Sequence, residues 1–378
     1  MKNLFIFTTI LLSSLFLGCT KENEDIFCHD PEIITKPKWD QEIPLNRSYI
    51  KKSIVIDDYI YLFRASGQKE ILIFFNKMTL ESKIFDIESS YESLVYDKAF
   101  YYIKLNDNEG YSIIKLDLIT NETMTIVEEN SGARIRSLQI LDGDLFYLLS
   151  YPQTSYYAKI KRVDLDGGLT ISEIHTNRNL EYKSYISDAY VWKQENGTYN
   201  ITYIHTDPTL VVSTYNQLDM EPIYILSFPH LKAYSVKNCL GKNKDLFLSF
   251  NDNDNYRKTV VLDLASGNMK YEYPEVLIPI NNKYAKAYNI MVDAQNGNQI
   301  IGNDNKSEIL FEHDNLVYIT VFDPTRATTP TIRALDLNTK CFSAAYNHKS
   351  NNHIMLDTFS NEMIVIDTDN NKIMAFGL

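Results

Sequence analysis

The chain has 378 residues, a net charge of −12 and four cysteines. Such an acidic body is poorly suited to tracking a nucleic-acid phosphate backbone or to lying on anionic lipid. The cysteines form no CxxC pair, which removes a zinc-ribbon or thiol-redox reading, and the length admits one large β fold or two to three smaller domains.

The chain opens on Met1, Lys2 and Asn3, continues through an apolar run from Leu4 to Phe16, and reaches Leu17-Gly18-Cys19 before turning polar. A short basic start, a short apolar stretch and a small residue at the cut site read as a secretory signal over residues 1–18. The run is too short for a transmembrane helix, which needs about 20 apolar residues. A cysteine directly after that small residue resembles the lipobox of bacterial lipoproteins. The resemblance implies cleavage after Gly18 and lipidation of Cys19, hence a body anchored to the cell outer membrane. The stretch Lys21-Glu22-Asn23-Glu24-Asp25 resembles the surface-export signal of Bacteroidota lipoproteins, or is a solvated linker. Residues 19–46, with Pro31, Pro37 and Pro44 and no period, read as a lipidated polar tether. With Cys19 acylated, Cys28, Cys239 and Cys341 remain, an odd number. Buried unpaired thiols are the expectation, and a Cys239–Cys341 bridge cannot be read from spacing.

From residue 47 onward, short alternating strands follow one another. Ser53–Ile56, Tyr59–Phe63, Ile71–Phe75 and Ser82–Phe85 predict four strands in quick succession. Glycine is scarce, at 13, while Asn and Asp crowd the turns. Tyrosine is abundant, at 27, which suits half-buried pleated surfaces. One pattern recurs: an apolar strand ending in Asp, a polar turn, then another strand. It stands at Asp117, Asp164, Asp263, Asp336 and Asp367, with degenerate copies at Asn76 and Asn216. Asp117 to Asp164 is 47 residues, near the repeat of four-stranded propeller blades. The 73 residues from Asp263 to Asp336 predict an insertion around Gln295 to Ser307. The 31 from Asp336 to Asp367 predict an incomplete final blade, completed by an N-terminal strand near residues 45–56. The fold expected over 47–378 is therefore all-β: a β-propeller of about seven four-stranded blades, six being the close count and tandem β-sandwiches the other architecture. Here the chain resembles the β-propeller lipoproteins of Bacteroidota, and the hairpin Ile364–Ala375 looks like a YVTN-type repeat.

Catalytic signatures are missing from the sequence: no GxSxG, no HExxH and no Gly-rich phosphate loop. No cofactor, metal or catalytic residue is therefore assigned. His348 and His353, and the runs Asp252–Asn255 and Asn303–Asn305, read as polar loops. Asp367, Asp369 and Asn371 have calcium-loop spacing, but Lys372 stands where the turn glycine belongs, so a hairpin turn is expected. Aromatic clustering points to binding. Tyr156, Tyr157, Tyr182, Tyr185, Tyr190 and Trp192 are the candidate ligand residues, because a ring face with a polar handle suits sugars and peptides; packing between blades is the competing role. The expected function is a non-catalytic envelope protein that binds a glycan, a peptide or a partner protein. The alternatives are a glycosidase or lyase working through paired carboxylates, and an accessory subunit of an outer-membrane uptake complex. If Cys19 carries the anchor, Cys19→Ala should move the protein from the membrane to the soluble envelope fraction, read by fractionation and immunoblot.

Overall fold

In the computed structural model the chain is described over residues 32–44, 49–66, 69–87, 90–107, 109–130, 132–151, 158–165, 169–177, 185–206, 210–218, 221–228, 237–240, 244–251, 257–302, 307–321, 331–346, 353–358, 360–368 and 370–378. The regular structure of these residues is β-strand, arranged as eight sheets that each hold a four-stranded antiparallel meander. Blade 1 runs from strand Tyr49–Ile56 to Ser82–Ile87, blade 2 from Ser90–Tyr96 to Thr123–Glu129, and blade 3 from Arg134–Leu141 to Thr170–Asn177. Blade 4 runs from Tyr185–Lys193 to Pro222–Phe228, blade 5 from Lys237–Leu240 to Met269–Tyr273, and blade 6 from Ile278–Pro279 to Gln299–Gly302. Blade 7 runs from Ser307–His313 to Phe342–Tyr346 and gains a fifth strand, Glu32–Ile34, paired in parallel with Phe342–Tyr346. Blade 8 comprises His353–Asp357, Glu362–Asp367 and Lys372–Gly377, with Trp39–Glu42 added antiparallel as its fourth strand.

The chain divides into two compact units. One is Met1–Lys36 with Leu310–Ser350, and it holds blade 7 apart from the start of its first strand. The other, Pro37–Ile309 with Asn351–Leu378, holds the remaining seven blades.

Within the larger unit neighbouring blades bury each other's faces. Strand Asp144–Ser150 of blade 3 shows how: all seven residues are buried. Because side chains alternate along a strand, Leu145, Tyr147 and Leu149 pack with Tyr101, Ile103 and Ile113 of blade 2. Phe146 and Leu148 pack with Ile201, Tyr203 and Tyr215 of blade 4. Leu246 and Leu248 likewise face blade 4, while Phe247 faces Ala285, Val292 and Ala294 of blade 6. The last blade meets the first in the same way, Ile364, Ile366 and Ala375 against Ile60, Leu62 and Phe75. Each large side chain so buried contributes about 1.5–3 kcal/mol.

The recurring Asp is a turn device. Asp117 Oδ1 accepts hydrogen bonds from the amides of Ile119 and Thr120, both at 2.8 Å. The same bonds form at Asn76, Asp263 and Asp336. The residue four places on then takes the left-handed backbone: Leu80, Asn121, Gly267 and Lys340 have φ of 58°, 67°, 73° and 59°. Asn is at home there, which is how a glycine-poor chain closes so many hairpins. Gly267 and Gly297 carry a second constraint. A Cβ on them would meet the rings of Tyr224 and Tyr271 at 2.8 and 2.7 Å. Those tyrosines come from the fourth strand of the preceding blade, and their hydroxyls donate to the carbonyls of Leu264 and Ala294.

Three expectations are corrected. The described residues form eight sheets, seven of four strands and one of five, where about seven blades were expected, and they are propeller blades and not tandem sandwiches. The missing blade is blade 6. Its strands have only two to four residues, and the insertion expected around Gln295 to Ser307 opens with its turn and its last strand, Gln299–Gly302. Asp293 closes it with the same turn, accepting from Gln295 at 2.7 Å. Second, the strand that completes blade 8 is Trp39–Glu42, whereas Tyr49–Ile56 begins blade 1. The stretch read as a tether thus supplies two strands. Third, Cys341 is disulfide-bonded, so the unpaired reading fails for it. The hairpin reading of Asp367 holds: its carboxylate accepts from the Asn370 amide at 3.0 Å.

One junction is polar. Where blades 2 and 5 place Leu118 and Leu264 after the turn residue, blade 1 has Lys77, which is buried and ion-paired to the buried Asp357 of blade 8. Burial alone would raise the Asp357 carboxyl, but hydrogen bonds from Lys77 and Ser360 outweigh it and hold it below the usual carboxylate range. Lys77→Met strands that carboxylate and should cost about 3–5 kcal/mol in urea unfolding, most of it recovered in Lys77→Met/Asp357→Leu. A depressed folded pKa also means that the wild-type contribution is complete above about pH 4 and fades as pH falls below it. The double variant should lose less stability over that acid range.

Candidate functional site

Three successive first strands are interrupted at corresponding places. In blade 2 the pairing shifts between Ser90 and Ser93, in blade 3 between Arg136 and Gln139, and in blade 4 between Ile186 and Asp188. The residues inserted at these bulges include Glu92, Ser137 and Ser187. A bulge bends the strand and re-aims its side chains. All three of these residues line one pocket of about 370 Å3, together with Ile103, Tyr111, Arg134, Ile135, Arg136 and Asp188.

The bulges are held by specific bonds. Ser137 sits at φ 53°, in the left-handed region that a serine adopts only under constraint. Its hydroxyl donates to the Asp188 carboxylate and accepts from the Ala189 amide at 3.2 Å. Two residues on, the Gln139 side-chain amide acts like a short length of strand. It donates to the Val191 carbonyl and accepts from the Val191 amide at 2.9 Å. The first strands of blades 3 and 4 are thereby tied beside the pocket. Its lining residues bring two guanidinium groups, two carboxylates, two serine hydroxyls and the Tyr111 phenol over an apolar floor of Ile103 and Ile135, which are 0 % and 2 % exposed. A pair of arginines presents planar donor forks suited to carboxylate, sulfate or phosphate oxygens. Serine hydroxyls and carboxylates can bond the hydroxyls or amides of the same ligand. Among the described residues no group of three or more His, Cys, Asp or Glu is placed to hold a metal ion.

The aromatic candidates lie elsewhere. Trp192 is 5 % exposed and belongs to the apolar cluster between blades 4 and 5. Its indole nitrogen donates to Thr202 Oγ1 at 3.1 Å, and Tyr190 packs half-buried against the same cluster. Tyr156, Tyr157 and Tyr182 fall outside the described residues, as does the side chain of Tyr185. The pocket residues escaped sequence reading, although a faint signal existed: Arg136-Ser137 and Ser187-Asp188 are adjacent polar pairs that break the alternation of their strands.

No family model matches the chain, and no curated protein matches it. Solved structures do. The Saccharomyces cerevisiae protein Sqt1 aligns over 93 % of this chain and 100 % of its own, at 7 % identity and a TM-score of 0.55. The Dos1 propeller aligns over 90 % of this chain and 95 % of its own, at 10 % identity and a TM-score of 0.53. The fold is a β-propeller. At such identities the likeness carries no activity.

The two kinds of candidate separate by stability. Trp192→Ala should cost about 3–5 kcal/mol of core packing and lower the melting temperature accordingly. Arg134→Ala, at an exposed position of the pocket, should stay within about 0.5 kcal/mol of wild type in the same thermal melts.

Proposed function

We propose that this protein is a lipid-anchored binding protein of the cell envelope, and that the pocket at the bulged first strands of blades 2, 3 and 4 takes an anionic group of a glycan or peptide ligand. The anchor rests on the lipobox-like start and on Cys19. The site rests on one observation: three bulge residues, Glu92, Ser137 and Ser187, converge with Arg134 and Arg136 in one pocket. In propellers the first strands face the axis, where ligands reach several blades at once.

Charge-assisted hydrogen bonds contribute about 1.5–3 kcal/mol each. Arg134→Ala/Arg136→Ala should therefore weaken binding of a uronate-bearing or sulfated glycan, or of an acidic peptide, by at least about tenfold in calorimetry of the soluble 20–378 protein. Neutral glycans that bind equally well to wild type and double variant would sink this assignment.

A catalytic reading is favoured by one feature, the presence of the carboxylates Glu92 and Asp188 in the same pocket. It predicts release of reducing sugar from envelope or host glycans that is abolished by Glu92→Gln. Binding without turnover supports the non-catalytic reading.

A further inference from the structure

The charged pocket has a neighbour on the same strands. A second hollow of about 520 Å3 is lined by Leu94, Val95 and Tyr96 of blade 2 and by Ile140, Leu141 and the Asp142-Gly143 turn of blade 3. Along blade 2 the step from one hollow to the other is Glu92 to Leu94, and along blade 3 it is Ser137 to Ile140. At about 3.3 Å of rise per residue, those steps span about 7–10 Å. One apolar cluster underlies both hollows. Ile103 and Ile135, the floor of the charged pocket, pack in it together with the half-buried Leu94, Leu138 and Ile140.

The far hollow has a fixed frame. The hairpins that bound it, Asp97-Lys98 and Asp142-Gly143, have positive φ at both central residues, as tight two-residue turns require. The Asp142 carboxylate is ion-paired to Lys193 Nζ of blade 4 at 2.6 Å, so its charge is compensated from within the protein. Tyr96, 38 % exposed, stands at the rim. The seam between blades 2 and 3 is therefore charged at one end and aliphatic at the other.

We infer that the ligand is a peptide, held extended along this seam. An acidic side chain meets Arg134 and Arg136, and an aliphatic side chain two or three residues away fills the hollow at Leu94 and Ile140. The inference rests on the pocket assignment made above and narrows its glycan or peptide to a peptide. The spacing follows from the 7–10 Å step, since an extended peptide advances about 3.3 Å per residue. A glycan carries hydroxyls on every edge, and Leu94, Val95 and Ile140 offer their side chains no hydrogen bond in return. A fatty acid matches the two ends but has no amides. Strand Arg134–Leu141 lies at the edge of its sheet, where an extended main chain beside it finds backbone partners.

The test is an array of hexapeptides with one fixed Glu and with Leu or Ser at the second and third positions before or after it. Binding is read by fluorescence anisotropy on the full chain carrying Cys19→Ala, exported and purified without detergent. Leu-bearing members of one order should bind at least about tenfold more tightly than their Ser counterparts. Ile140→Ser should erase that difference and Ile140→Leu should keep it. Tyr96→Ser, at the exposed rim, reduces it severalfold and guards against a folding defect in the first variant. Arg134→Ala/Arg136→Ala should weaken Leu and Ser members alike. Equal binding of Leu and Ser peptides, still weakened in the arginine variant, overturns the seam and leaves the pocket assignment standing. Binding of dodecanoate or of a uronate glycan, with every Leu-bearing peptide silent, also overturns it. If the arginine variant changes no ligand's affinity, the pocket assignment fails with it.

Discussion

A four-stranded meander with two apolar faces cannot stand alone in water. The second strand of blade 3, buried along its whole length, makes the point: odd positions seal blade 2 and even positions seal blade 4. Every other feature of the larger unit answers that demand. Each blade covers one face of a neighbour and needs its own other face covered in turn. Blade 8 does so against blade 1 through Ile364, Ile366 and Ala375. The N-terminal strand Trp39–Glu42 joins the first part of the chain to its end in the same blade.

Around this apolar requirement the polar groups have distinct duties. The Asx turns satisfy amides that a tight hairpin leaves unpaired, with Asp or Asn at six third-strand ends and with Asp367 at the end of blade 8's second strand. Tyr224 and Tyr271 cap the next blade's turn, combining ring packing on a glycine with a hydroxyl bond to a backbone carbonyl. Lys77 and Asp357 form the exception, a buried ion pair where sister blades use leucine. Such a pair adds less stability than an apolar pair of the same volume, but it penalises mismatched partners. Its place between the first and last blades suits a selective closure.

The pocket shows how a repetitive scaffold acquires an individual site. Regular strands present alternate residues to a neighbour and leave little freedom for chemistry. A single inserted residue in each of blades 2, 3 and 4 turns polar side chains into shared space without disturbing the strands behind them. Ser137 accepts a left-handed backbone to do this, and its bonds to Asp188 and Ala189 support it. In the proposed function the arginines provide the charge for a ligand to recognise, while the rings of Trp192 and Tyr190 serve the packing of blades 4 and 5.

Sequence alone determined the all-β class, the blade-like repeat and the turn chemistry, because alternation and an Asp before a polar turn are local properties of a few neighbouring residues. It missed blade 6, since strands of two to four residues carry too little alternation to read, although Asp293 repeated the turn pattern in plain sight. It also placed the closing strand a few residues late, because any short apolar stretch near the N-terminus fits that role until pairing partners are known. Tertiary structure decided which tyrosines and tryptophan are core, where the bulges fall, and that Cys341 is bonded. These depend on register between strands, and register is fixed by contacts between residues far apart in the chain.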